Sequence, residues 1–212
     1  MGLWSDFLTH DGRPTLKLSH YYPIYERHFA PFVNRSLTMM EIGVSRGGSL
    51  QLWKRYFGPL AQIVGLDINP KSKKVEEDQI AVRIGDQKDA AFLQGVIDEF
   101  GAPDIVVDDG SHVMGDVTAA FGFLYPRMPK NGVYLVEDMC TAYWPEYGGG
   151  LREPASFIEL SKKLIDELNA DHARGAISRT EFTATTMSIH FYDCIVVFER
   201  GRHAKIRPVK SR

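Results

Sequence analysis

The chain has 212 residues, 44% hydrophobic and 25% charged, with a formal net charge of −2, the make-up of one sizeable globular domain. So small a charge gives no overall field to recruit nucleic acid or an anionic membrane, and no apolar run reaches the roughly 20 residues a bilayer span needs. The opening MGLWSDFLTHDG lacks the basic and apolar regions of a signal peptide, and Asp6 stands where a myristoylation signal needs Ser or Thr. Cys140 and Cys194 form no CxxC and read as packed, reduced thiols, so a cytoplasmic setting is the simplest expectation.

Residues 1–36 are polar and aromatic, and HYYPIYERHF reads as a short helix turning Tyr, Ile and Phe inward. This N-terminal segment is expected to cover the active site, with 37–201 forming the main domain and 202–212 a basic tail. Five strand candidates follow: LTMMEIGV, QIVGLDI, QIAVRI, PDIVVDD and GVYLVED. Between them SLQLWKRYF, DAAFLQGVIDEF and VTAAFGFLYPRM place apolar residues at helical spacing. The alternation predicts an α/β fold with a mostly parallel sheet covered by helices on both faces. FIELSKKLIDELNADHARG reads as one amphipathic helix ending at Gly175, and TTMSIHFYDCIVVFER as an antiparallel hairpin turning at Tyr192-Asp193.

Open α/β sheets bind ligands at the carboxyl ends of their strands. The first such end, Glu41 to Trp53, holds Gly43, Gly47 and Gly48, which let the backbone turn sharply and approach a ligand. It matches neither GxGxxG nor a P-loop. With Glu41, Ser45 and Ser49 these glycines are the candidate cofactor contacts. Asp67 ends the second strand, where a carboxylate accepts hydrogen bonds from both ribose hydroxyls; capping the next segment is the alternative. Asp86 and Gln87 at the third strand end are placed to read an adenine amino group. The residues therefore point to an adenosine-containing cofactor.

EIGVSRGGSLQLW, GLDINP, IGDQKDAAFL, DIVVDDGSH and YLVEDMCTAYW, in this order, resemble the class I S-adenosylmethionine-dependent methyltransferases. More narrowly they are similar to the metal-dependent sugar O-methyltransferases of antibiotic pathways, a group that includes the mycinamicin and macrocin enzymes, the TDP-rhamnose O-methyltransferases and the cephalosporin hydroxylase-like proteins. The resemblance runs from about His20 to Gly201 and is strongest through residue 144. It implies a Rossmann-like sheet of seven strands, S-adenosyl-L-methionine above the first two, and a divalent ion beside the transferred methyl. Relatives are often oligomers, so a homo-oligomer is a possibility the family leaves open. No large extra N-terminal domain of the kind some macrolide-modifying relatives carry is expected, so acceptor choice does not carry over.

DDGSH, at Asp108 to His112, follows a buried run. Successive strand residues face opposite ways, so Asp108 is assigned to the cofactor and Asp109 to a metal. GVYLVED ends with a second acidic pair, Glu137 and Asp138. Unpaired, Asp109, Glu137 and Asp138 would repel one another at neighbouring strand ends, and a hard cation such as Mg²⁺ relieves this. His112 is the candidate base, since imidazole accepts a proton near neutral pH, and the matching residue has that proposed role in the resembling family. Tyr21 or His20 is a candidate contact for the methionine end of the cofactor. Tyr143 and Trp144 are candidates for stacking on an acceptor ring, with Gly148 to Gly150 as a mobile loop above it.

The expected activity is Mg²⁺-dependent O-methylation of a hydroxyl on a sugar or glycosylated natural product. A catechol-like phenol is the alternative acceptor. An NAD(P)-dependent oxidoreductase and a non-catalytic cofactor-binding protein are the alternatives of other classes.

Overall fold

In the computed structural model, which describes residues 2–201 and 208–211, each apolar run becomes a strand. They are β1 (Leu37–Ile42), β2 (Ala61–Asp67), β3 (Ile80–Ile84), β4 (Ile105–Asp108) and β5 (Val133–Val136), with β6 (Thr186–Tyr192) and β7 (Ile195–Arg200) as the closing hairpin. They form one seven-stranded sheet in the order β3-β2-β1-β4-β5-β7-β6. The first five strands run parallel, while β7 is antiparallel to both β5 and β6. Strand order reverses between β1 and β4, which opens a crevice at their carboxyl ends.

The helices are α1 (Leu3–Leu8), α2 (Tyr21–Phe29), α3 (Gly48–Phe57), α4 (Ala90–Phe100), α5 (Met114–Leu124), α6 (Phe157–Leu168) and α7 (Glu181–Thr185). Starts are marked where a side chain can satisfy free backbone N–H groups. Asp89 accepts from the Ala91 and Phe92 amides at α4, and Ser156 from Glu159 at α6.

Strand alternation sorts the core into two layers. Met39, Ile63, Val82, Val107 and Leu135 face one way and pack under α1 to α3. Met40, Val64, Val106 and Val136 face the other way and pack under α4 to α6. Each such side chain fully withdrawn from water contributes about 1.5–3 kcal/mol. The N-terminal segment belongs to the first layer: Leu3, Tyr22, Tyr25 and Phe29 are buried against Trp53 and Phe57 of α3.

Two expectations are corrected. The long amphipathic helix stops at Leu168, capped by Asn169, and the chain continues through a 3₁₀ turn at Ala170–His172. The apolar stripe ends there: of NADHAR Ala170 alone is buried. α7, absent from the sequence reading, is five residues closed by a Thr180–Thr183 capping box. Of the basic tail, 202–207 and 212 lie outside the described residues.

Candidate active site

A cavity of about 580 Å³ opens at the carboxyl ends of the strands, a size suited to a nucleoside-bearing ligand. Its floor is the turn after β1. Gly43 has φ 90°, and any side chain there would collide with the Asp109 carbonyl, so β1 and β4 meet at their tips only because residue 43 is glycine. Ser45, Gly47, Gly48, Ser49, Asp67, Asp86 and Gln87 also border the cavity. Its outer wall is an extended stretch, Pro14 to Lys17, linking α1 to α2. A Cβ on Gly48 would strike the Arg13 and Pro14 carbonyls of that stretch.

Several of these side chains have work within the protein. Asp67 Oδ2 accepts from the Val44 and Ser45 amides (3.1 and 3.2 Å) and from Ser72 Oγ (2.8 Å), while Oδ1 accepts from Asn69 N. It therefore braces the glycine turn and caps the next segment while also bordering the cavity. Gln87 accepts from Ser111 N and donates to Asp108, so both ends of its amide are engaged. Asp108 does not border the cavity. It is buried on the Val106 side of β4, between Tyr134 Oη (3.1 Å) and Gln87, and burial pushes its carboxyl up to about 7 against those two hydrogen bonds. The assignment of Asp108 to the cofactor is corrected accordingly.

Glu41 is likewise beneath the cavity, fully buried, and accepts from Ser49 Oγ at 2.6 Å. Its second partner is a residue the sequence reading missed, Lys17. Lys17 Nζ lies 3.3 Å from Glu41, 2.6 Å from Asp109, and 3.0 and 2.9 Å from the two Glu137 oxygens. Its three protons meet three carboxylates with the side chain 5% exposed. Burial alone would lower its pKa; Glu137, Asp109 and Glu41 outweigh burial and hold it well above the ordinary lysine value. A dication is therefore not needed to reconcile all of the acidic strand ends: the ammonium already bridges Asp109 and Glu137, together with Glu41, and leaves Asp138 outside.

The second half of the site faces away from Lys17. His112 Nε2 lies 3.9 Å from Asp109 Oδ1 and 3.8 Å from Asp138 Oδ2. One donor atom each from Asp109, His112 and Asp138 falls within 4.8 Å of the others; the two carboxylates suit a hard divalent ion, with the imidazole standing beside it. Glu137, in contrast, is turned to Lys17 and to Tyr25 Oη (2.7 Å). Ser45, His112 and Asp138 all hold left-handed backbone, φ 49°, 58° and 52°, a costly conformation that collects at functional sites. Tyr21 does not border the cavity; its hydroxyl donates to Asp138 Oδ1 at 2.6 Å, so it orients an acid instead of meeting a cofactor.

Other candidates fall around this centre. His20 is exposed and bonded to the Asp193 carbonyl. Tyr143 and Trp144 are about half exposed, and Trp144 contacts Tyr147, which leans on His112 with ring centroids 6.4 Å apart. The glycine run is not loose: the Gly148, Gly149 and Gly150 amides bond to the Pro145, Trp144 and Ala142 carbonyls. Cys140 and Cys194 are free thiols lying against each other, and burial helps push Cys194 up to about 12.

A mostly parallel sheet with the order found here, a glycine turn after β1 and acidic ends on β2 and β4 define the class I methyltransferase fold. No family model matches the chain. The chain is a homologue of the sugar O-methyltransferases of antibiotic pathways. It is 38% identical over 85% of its length to 8-demethyl-8-alpha-L-rhamnosyl tetracenomycin-C 2'-O-methyltransferase of Streptomyces olivaceus. It is also 38% identical, over 90% of its length, to mycinamicin VI 2''-O-methyltransferase of Micromonospora griseorubida. The chain spans about half the length of these curated relatives, 50% of each. A solved structure of MycE methyltransferase from the mycinamycin biosynthetic pathway, in complex with Mg, SAH and mycinamycin VI, superposes with a TM-score of 0.83 at 36% identity, covering 94% of this chain and 53% of that one.

Proposed function

We propose that the protein transfers a methyl group from S-adenosylmethionine to a hydroxyl of a sugar or glycosylated small molecule, with Mg²⁺ as cofactor. The observation that carries this reading is that Asp109 and His112, which border a nucleoside-sized cavity, stand together with Asp138, in a chain homologous to sugar O-methyltransferases. Asp109 and Asp138, with Glu137 as third carboxylate, are the residues that would hold the ion. The ion would favour ionisation of an acceptor hydroxyl, and the sulfonium would supply an already activated methyl.

The chain's own residues do the rest. His112 Nε2 takes the hydroxyl proton, and the flanking Asp109 and Asp138 stabilise the imidazolium that results. The β1 turn and Asp67 hold the ribose end of the donor, and Asp86 lies toward its base. The exposed Tyr143 and Trp144 offer flat apolar surface to an acceptor ring. The side-by-side free thiols support a reducing, cytoplasmic setting.

Tyr21 orients Asp138, and loss of such a supporting hydrogen bond typically costs 10–100-fold in metal affinity. Tyr21→Phe is therefore expected to weaken Mg²⁺ binding by roughly that factor in calorimetry; unchanged affinity would remove the assigned role. The reaction itself is tested with labelled methyl donor against paired panels of glycosides and catechols, with Mg²⁺ and with EDTA. Label is expected on glycosides and is expected to vanish with EDTA. Label on catechols alone would move the reading to a phenol O-methyltransferase, and EDTA-insensitive transfer would remove the metal from it.

A further inference from the structure

We propose that Lys17 is a tethered competitor for the divalent ion: ammonium and ion share Asp109 and Glu137, so loading the ion lifts Lys17 and its segment off the site. The inference rests on the metal-dependent reading above and deepens it by naming the residue that sets the ion's affinity.

Three observations support it. Lys17 Nζ bonds both oxygens of Glu137 and one of Asp109 at 2.6–3.0 Å. An octahedral Mg²⁺ requires its oxygens at about 2.0–2.1 Å, so an ion held by the same two carboxylates falls where the ammonium stands. A monocation and a dication sharing two carboxylates also repel strongly in so buried a setting. Three of the four acceptor positions of Glu137 are already taken, two by Lys17 and one by the Tyr25 hydroxyl.

The segment is built to move. Between α1 and α2 it has no regular secondary structure. Arg13 ties its start to Gln51 Oε1 (2.8 Å) and Glu77 (3.1 Å), and the chain is next fixed where Leu18 accepts from the Tyr21 amide. Between those points Leu16 is 92% exposed, and the Lys17 side chain is the deep anchor. Withdrawing one ammonium therefore frees the stretch. Because Pro14 to Lys17 walls the cavity, the same movement couples ion loading to access for the donor.

The test uses the full chain stripped with EDTA. Mg²⁺ is titrated calorimetrically into wild type and Lys17→Met, and Lys17 of the wild type is probed with an amine-acetylating reagent read by peptide mass spectrometry. Lys17→Met is expected to bind Mg²⁺ at least about tenfold more tightly, since three carboxylates lose their built-in counter-ion. Wild-type Lys17 is expected to resist acetylation until Mg²⁺ is added; this second readout needs no variant, should Lys17→Met fold poorly. Equal or weaker binding by the variant, or Lys17 still protected at saturating Mg²⁺, overturns the proposal and leaves the metal reading intact. No Mg²⁺ binding by either protein overturns the metal reading and this proposal with it.

Discussion

His112→Ala is expected to slow methyl transfer by about 10²–10⁴-fold, the usual worth of a positioned general base, with affinity for S-adenosylhomocysteine unchanged. The imidazole borders the cavity from the β4 side, while the cavity-lining glycines and Asp67 stand at the ends of β1 and β2. Removing it therefore takes away proton acceptance without touching donor contacts. The residue's φ of 58° complicates an alanine, which tolerates that backbone poorly. His112→Asn is the cleaner variant, because Asn occupies left-handed backbone more readily. Loss of turnover in both, at constant ligand affinity, is the expected result. Full turnover in either would remove His112 from the chemistry.

The second large effect concerns the closing hairpin. Phe198 on β7 is fully buried, with ring centroids 4.6 Å from Phe121, 5.8 Å from Tyr125 and 6.0 Å from Phe157. Three helical or 3₁₀ elements thus meet on one side chain of the strand that completes the sheet. Phe198→Ala is expected to cost about 3–5 kcal/mol through lost transfer energy and the cavity left behind. For a chain this size that lowers the melting temperature by roughly 6–20 °C, measured by calorimetry or circular dichroism. A change within a degree would mean that the hairpin is not part of the cooperative core.

The strands were legible because each is a short apolar run between turn residues, and the hairpin because two β-rich stretches follow one another, although its turn falls at Asp193-Cys194 and Tyr192 still pairs with Ile195. The pairing of DDGSH with the Glu137-Asp138 doublet was legible too, since consecutive parallel strands bring their carboxyl ends to one edge. Which acid of each doublet faced the cavity was harder. Period-two alternation put Asp108 and Asp109 on opposite sides but could not say which side was which. The clue lay in Val106, which shares its face with Asp108 and packs under α5.

Lys17 was invisible for a different reason. It sits in a segment without periodicity and meets partners 24, 92 and 120 residues away. The one available signal was negative: three acids converging with no basic residue among the strand ends. Tyr21 and Tyr25 read correctly as inward-facing, but not as hydroxyl donors to Asp138 and Glu137, since helical spacing gives direction and says nothing about partners.

Co-crystals with S-adenosylhomocysteine and Mn²⁺, with anomalous data collected at the manganese edge, test the central claim most directly. The expected map has the nucleoside between Asp67 and Asp86 and one manganese peak within coordinating distance of Asp109 and Asp138. A nucleoside bound elsewhere, or those carboxylates facing only water with the Mn²⁺ in excess, would contradict it.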